Sequence, residues 1–175
     1  NIGEMQCDMV AIATGAATQK GLEGFEWRLP MQNKKGLIVQ TSPLPQLINH
    51  VLMTNDVHFK QNKDGSFTAG EIFSGDLTES MVPLDVASDV VSRISKKLNF
   101  TENLIPENIR IGVRPIPIDG FPVVGDIQGY KGLFIAVMHS GVTLAPLIGQ
   151  LLASEMLQLT KSPLLKSFRP SRFAE

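Results

Sequence analysis

The feature that most constrains this chain is an abrupt change of pattern at residues 139–141. Leu133 to Met138 reads Leu-Phe-Ile-Ala-Val-Met, an unbroken apolar run. A run that short and that apolar fits a strand buried on both faces. His139-Ser140-Gly141 is a tight polar break, and from Val142 to Leu159 apolar residues return at helical spacing. A buried strand therefore turns sharply into a helix at this point. The N-terminus of a helix carries unpaired N–H groups and partial positive charge. It is a ready site for an anion or an electron-rich carbonyl.

The segment before it is odder. Ile109 to Val113 is strand-like, but Arg114 is followed by Pro115 and Pro117. Proline removes backbone donors and resists a central strand position. The segment should be extended without forming a regular interior strand beyond Val113. Asp119-Gly120 signals a turn, and Pro122 follows at once. A guanidinium on rigid apolar backbone is well placed to grip a carboxylate. From these residues alone, a structural ion pair with an acidic side chain is equally open.

Gly112-Val-Arg-Pro-Ile-Pro-Ile-Asp-Gly-Phe-Pro-Val-Val-Gly125, followed by Met138-His-Ser-Gly-Val-Thr-Leu-Ala-Pro146, resembles the C-terminal signature of the glycine oxidase and D-amino-acid oxidase family. Members are FAD-dependent amine and amino-acid oxidoreductases. The resemblance implies that Arg114 binds the substrate carboxylate. It implies that the backbone at His139, Ser140, Gly141, Val142 and Thr143 faces the pyrimidine edge of the flavin. Pro122 and Gly125 fall where members approach the isoalloxazine, although a plain turn explains them equally well. Cys7 to Ala13 is a short apolar strand broken at Thr14-Gly15-Ala16. That ending resembles the last strand of the family's FAD-binding sheet, so Thr14 and Gly15 are expected near the cofactor. His58 stands where some members place an active-site Tyr, which makes it a candidate substrate contact. Several members carry two more residues in the 139–141 loop, including a second carboxylate-binding Arg. Their absence here sets this chain apart from the glycine-oxidase substrate pattern.

Between these landmarks the chain reads as α+β. Leu37 to Thr41 is a strand after Lys35-Gly36, and Gly21 to Lys35 is a loop. Gln46 to Met53 is a short helix or an irregular segment. Asp56–Gln61 and Ser66–Glu71 flank Asp64-Gly65, a hairpin signal. Gln61 before that turn and Gly70 after it resemble the opine oxidase, cyanide synthase and proline dehydrogenase β-subunit branch. Ile72 to Met81 is a polar loop. Leu84 to Leu98 puts Val86, Val90, Val91, Ile94 and Leu98 on one stripe of an amphipathic helix, with a solvated charged face opposite. Asn99 to Asn108 is a loop. The end of the chain resembles the family's closing Phe-x-x-x-Arg-Phe at Phe168, Arg172 and Phe173, and should pack back on the body. The resemblance assigns residues 1–20 to the end of a FAD-binding domain, 21–115 to an antiparallel or mixed-sheet substrate domain, and 116–175 to the return into the FAD-binding domain.

The family's opening motif, strand, Gly-x-Gly-x-x-Gly, helix, occurs nowhere in these 175 residues. The chain is therefore expected to be the C-terminal fragment of a longer FAD-dependent oxidoreductase. The parent should oxidise an amino acid or secondary amine by hydride transfer from the substrate carbon to flavin N5. The fragment alone should be inactive, with its missing half or a partner subunit supplying the remaining FAD contacts. Self-association is expected where that half is absent. The alternative is a non-catalytic FAD-fold scaffold or assembly subunit.

Composition narrows the partners. Net charge is −1 with no basic run, which argues against nucleic acid. A single cysteine, Cys7, forms no internal disulfide and fits a reducing compartment such as the cytoplasm. No apolar stretch is long enough to span a bilayer. The three histidines, at 50, 58 and 139, lack metal-ligand spacing, so no metal site is expected.

Overall fold

The architecture comes from a computed structural model that describes residues 3–72, 84–99 and 104–173. The polar loop expected over 72–81 lies outside them beyond Ile72, as does part of the loop expected over 99–108. The chain divides into two units. One comprises residues 1–33 and 114–175, the other 34–113. Sequence length allowed for one core, but the second unit has one and the first unit two.

In the second unit a five-stranded sheet has the order β3-β4-β5-β2-β6. β2 spans Met31–Pro43, β3 Leu52–Met53, β4 His58–Gln61, β5 Ser66–Ile72 and β6 Pro106–Pro117. The hairpin forms as the Asp64-Gly65 signal requires, with β4 antiparallel to β5 and Phe59 opposite Ala69. Gly65 has φ +88, and a Cβ there would stand 2.2 Å from the carbonyl oxygen of Leu44. Only glycine closes this turn against that backbone. β2 alternates as a half-buried strand should, with Leu37 and Val39 inside and Ile38 outside. Its register with β5 shifts between Gln40 and Pro43. Buried Thr41 repairs the break, because its Oγ1 accepts the Phe67 N–H at 3.0 Å.

Helix α2, Leu84–Lys97, lays Ala87, Val90, Val91 and Ile94 on Leu37, Val39, Phe59 and Phe67. Its polar face is less free than a solvated face. Lys97 pairs with Asp56 at 2.9 Å and Arg93 with Asp89 at 3.1 Å. Leu47 to Ile48 is irregular, and the side chain of Gln61 holds it. Gln61 Oε1 accepts from Leu47 N at 2.7 Å and Ile48 N at 3.1 Å, while Nε2 donates to the carbonyls of Pro45 and Gly65. β6 continues to Pro117, four residues past the expected limit. It is an edge strand, where a missing N–H leaves no ladder bond broken.

In the first unit β1 (Val10–Ile12), β8 (Leu133–Val137) and β7 (Val123–Asp126) form a sheet in the order β1-β8-β7. β1 is parallel to β8 and β7 antiparallel to it. β7 is a strand the sequence reading missed. Strand alternation splits this sheet between two cores. Val123, Leu133, Ile135 and Val137 face one, with Ile12, Leu22 and Leu29. Val124, Phe134 and Ala136 face the other, with Ile148 and Leu152 of helix α3, Gly141–Met156. The segment expected to be loop over 21–35 thus contributes Leu22 and Leu29 to this core, and β2 begins at Met31. Before it, Thr18–Gly21 forms a single turn, α1, with Thr18 Oγ1 donating to Gly15 O at 2.7 Å. α3 ends earlier than Leu159, and Gln158 has φ +58. The chain end packs back as two 3-10 turns, burying Leu165 and Pro170.

Candidate functional site

β8 ends at Val137 and α3 begins at Gly141, so Met138, still buried in the core, His139 and Ser140 form the whole connection. Ser140 occupies the N-cap but does not cap: no side chain bonds the first turn. Its Oγ lies 3.4 Å from His139 Nδ1 instead. Leu144 N is the first helical N–H satisfied, by Ser140 O at 3.0 Å. The N–H groups of Gly141, Val142 and Thr143 have no partner among the described residues. Val142 is 96% exposed, unusual for valine. These are three open donors at the positive end of a sixteen-residue helix.

Beside the helix head lies an apolar cavity of about 620 Å³. Ala11 and Ala13 line it from the β1 side, Ala136 and Met138 from β8 and its end, and Ala145, Gly149 and Ala153 from α3. Gly15, Pro115, His139, Gly141 and Val142 line it near the helix head, and larger apolar side chains, Val137, Ile148, Leu152 and Met156, complete the wall. Sequence reasoning missed the alanines and Gly149. The signal was present, since small residues recur at 141, 145, 149 and 153, one per turn on one flank. Small residues there keep the helix flank low, which leaves the space.

Arg114 comes to the same place. Its Nη1 lies 3.4 Å from His139 Nε2. No carboxylate pairs with it among the described residues. The other arginines of this unit's C-terminal part differ. Arg169 is bound to Glu155 and Arg172 to Asp119. The Arg172 pair fixes the turn that follows β6. Hydrogen bonding from Arg172 holds the Asp119 carboxyl below its usual range, against the opposing effect of partial burial. Asp119 Oδ1 also accepts the Phe121 N–H at 3.1 Å.

The remaining candidates scatter more widely. Thr14 is exposed and Gly15, at φ +57, makes the turn after β1. Pro122 is half-buried just before β7. Gly125 is buried within β7 at φ +136, and what lies against it is Arg169 and Pro170. His58 stands exposed on β4 of the second unit, opposite Gly70.

Three comparisons with known proteins agree in kind. The sequence profile of a family described as FAD-dependent oxidoreductase matches residues 1–155. The chain is 29% identical, over 97% of its length, to hydrogen cyanide synthase subunit HcnC of Pseudomonas aeruginosa, of which it covers 43%. It is 24% identical, over 88% of its length, to a glycine oxidase of the same species, again covering 43%. Among solved structures, iminodiacetate oxidase from Chelativorans sp. BNC1 superposes with a TM-score of 0.78 at 21% identity, over 95% of this chain and 47% of that one. L-proline dehydrogenase from P. horikoshii gives 0.75 at 23%, over 94% and 46%. The chain thus spans about half the length of the relatives it matches. No helix among the described residues is long and apolar enough to cross a membrane.

Proposed function

We propose, from the premise that the chain belongs to the FAD-dependent oxidoreductase family, that it is part of an enzyme oxidising an amino acid or secondary amine, with Arg114 taking the substrate carboxylate. One observation carries the reading. Arg114 is a half-buried cation with no acid partner among the described residues, and it sits at the open head of α3. A structural arginine in such a place is expected to have a carboxylate, as Arg169 and Arg172 do. Arg114 keeps its charge available for a ligand that brings one.

The residues present fit the cofactor. The unpaired N–H groups of 141–143 suit an electron-rich edge that gains negative charge on reduction. The adjoining cavity is apolar and shaped by small side chains. When bound, FAD supplies at N5 the acceptor for hydride leaving the substrate carbon. Arg114 orients the substrate, the α3 amides stabilise charge, and the apolar walls exclude water. Gly15, His139, Gly141 and Val142 line the place, with Thr14 and Thr143 next to them in sequence. Pro122 and Gly125 act in this reading as backbone supports. His58 is assigned to substrate on resemblance alone. The Gly-x-Gly-x-x-Gly half is supplied by an upstream segment or a partner subunit, and the relative HcnC is itself named as a subunit.

The test is anaerobic reduction in the longer protein that contains this chain. An amino acid or N-substituted amino acid should bleach the flavin band, and the corresponding decarboxylated amine should do so far more slowly. Equal rates for the two would remove the carboxylate role. No bleaching by any amino acid or secondary amine would favour the scaffold reading, which has no need of an unpaired Arg114.

A further inference from the structure

We infer that His139 is a positioning residue for Arg114, holding the guanidinium in place as a neutral imidazole whose proton sits on Nδ1. The inference rests on the reading of Arg114 as a carboxylate anchor and adds what orients it. Guanidinium has donors and no acceptor. The 3.4 Å approach of Arg114 Nη1 to His139 Nε2 is therefore a hydrogen bond only if Nε2 carries a lone pair. The ring proton then belongs on Nδ1, and the atom 3.4 Å from Nδ1 is the Ser140 hydroxyl oxygen, which accepts it. The opposite tautomer sets N–H against N–H at Arg114. The imidazolium form does the same and adds a second cation.

The arrangement solves a specific problem. A long cation left free loses rotamer entropy when a ligand fixes it. A carboxylate partner would fix it beforehand, but would also neutralise it and compete with the ligand's carboxylate. A neutral imidazole orients the guanidinium without cancelling its charge. It occupies one of the five N–H groups, and four remain, enough for a bidentate grip. Ser140 contributes by spending its hydroxyl on His139, not on the helix, which also leaves the first-turn N–H groups of α3 open. His139 thus links two features: the direction of Arg114 and the uncapped helix head.

The experiment uses the longer protein that contains this chain. Long-range nitrogen–proton correlation spectra of its histidines report the tautomer at each ring, and the His139 signals are those lost in His139→Gln. His139 should show a protonated Nδ1 and an unprotonated Nε2, and Arg114→Leu should release it from that state. A protonated Nε2 in the unsubstituted chain, or no change in Arg114→Leu, overturns the inference. Acetate is the carboxylate probe, followed at the Arg114 side-chain N–H. Its affinity should fall about five- to tenfold in His139→Ala, the cost of ordering one long side chain. It should recover in His139→Gln, whose amide oxygen can accept from the guanidinium. Acetate binding equally well to His139→Ala overturns the positioning role and leaves Arg114 as the anchor. No acetate response at Arg114 in the unsubstituted chain overturns the anchor itself, and the positioning role with it.

Discussion

Arg169 grips Glu155 with both ends of its guanidinium, Nη1 at 2.5 Å from Oε2 and Nη2 at 2.6 Å from Oε1. The Glu155 side chain is only 3% exposed, and its Oε1 also accepts the Ser162 N–H at 2.8 Å. One carboxylate near the end of α3 therefore ties down the start of the C-terminal tail. Gly125 makes room for it, because a Cβ there would stand 2.8 Å from Arg169 Nη1.

Glu155→Gln should cost about 2–4 kcal/mol, since the guanidinium stays behind without its partner and only part of it reaches water. The pH dependence follows from the carboxyl's environment. Burial pushes its pKa up, but the hydrogen bonds from Arg169 and Ser162 and the charges of Arg169 and Lys161 outweigh that and leave it lowered. A lowered folded pKa means the stabilisation is complete above the unfolded value, about 4.3. It is lost as pH falls through the folded one. Melting curves of the two proteins should therefore be furthest apart near neutrality and converge in acid. A gap that widens on acidification contradicts the assignment. Gly125→Ala should also destabilise, through its φ of +136 as much as through the contact.

Gln61→Ala should loosen one segment without unfolding the unit. It removes the acceptor for Leu47 and Ile48 and the donor to Pro45 and Gly65. Those groups are partly accessible to water, so the global loss should be about 1–2 kcal/mol. Hydrogen exchange at the Leu47 and Ile48 amides should accelerate well beyond that of α2. Uniform acceleration across the unit would mean that Gln61 acts on the whole sheet.

These two residues mark what was legible in the sequence. The hairpin, α2, β8 and α3 were, because each announces itself locally: an Asp-Gly turn, an apolar stripe at helical period, an unbroken apolar run. β7 was not. Four residues interrupted by Gly125 make too short a pattern, and only its pairing with β8 defines it. β2 was read short because Met31 to Lys35 mixes polarity, and an edge position rescued the prolines of β6. The Glu155–Arg169 pair spans fourteen residues and depends on how the tail turns back, which no local pattern encodes. At the site, the helix head was legible, and resemblance pointed to Arg114. Its meeting with His139 across twenty-five residues was not.

The 175-residue chain should purify colourless. The family's pyrophosphate contacts come from a Gly-x-Gly-x-x-Gly turn leading into a helix N-terminus, and the sequence contains no such turn. In the proposed reading, the open amides at α3 and the apolar cavity face a different part of the cofactor. A stoichiometric flavin spectrum from this chain alone would show that these contacts suffice.

The same chain should self-associate through β1. Among the described residues that strand pairs only with β8 and is the edge of its sheet. Val10 is 45% and Met9 37% exposed there. An apolar, unpaired edge is a template for another strand. Sedimentation should give a mass that rises with concentration, and Val10→Lys should bring it back to the monomer. A strict monomer at all concentrations would mean the edge is protected.

The last prediction concerns Arg114 in the longer protein. If Arg114 takes the substrate carboxylate as proposed, Arg114→Ala removes a charge-assisted, often bidentate contact. The loss should be roughly 2–5 kcal/mol in kcat/KM, the range for breaking a desolvated charge pair. Because the carboxylate also orients the reacting carbon, kcat should fall while KM rises. Arg114→Lys should recover only part of the loss, since an ammonium cannot reproduce the planar fork. Flavin content should stay near normal, and so should stability, because Arg114 holds no acid partner among the described residues whose charge would be stranded. A structural arginine behaves in the opposite way: the variant loses flavin or melts early, and whatever folds keeps its kinetics. Flavin occupancy, melting temperature and steady-state rates from one preparation separate the two. Unchanged kinetics in the flavin-loaded fraction would end the carboxylate role.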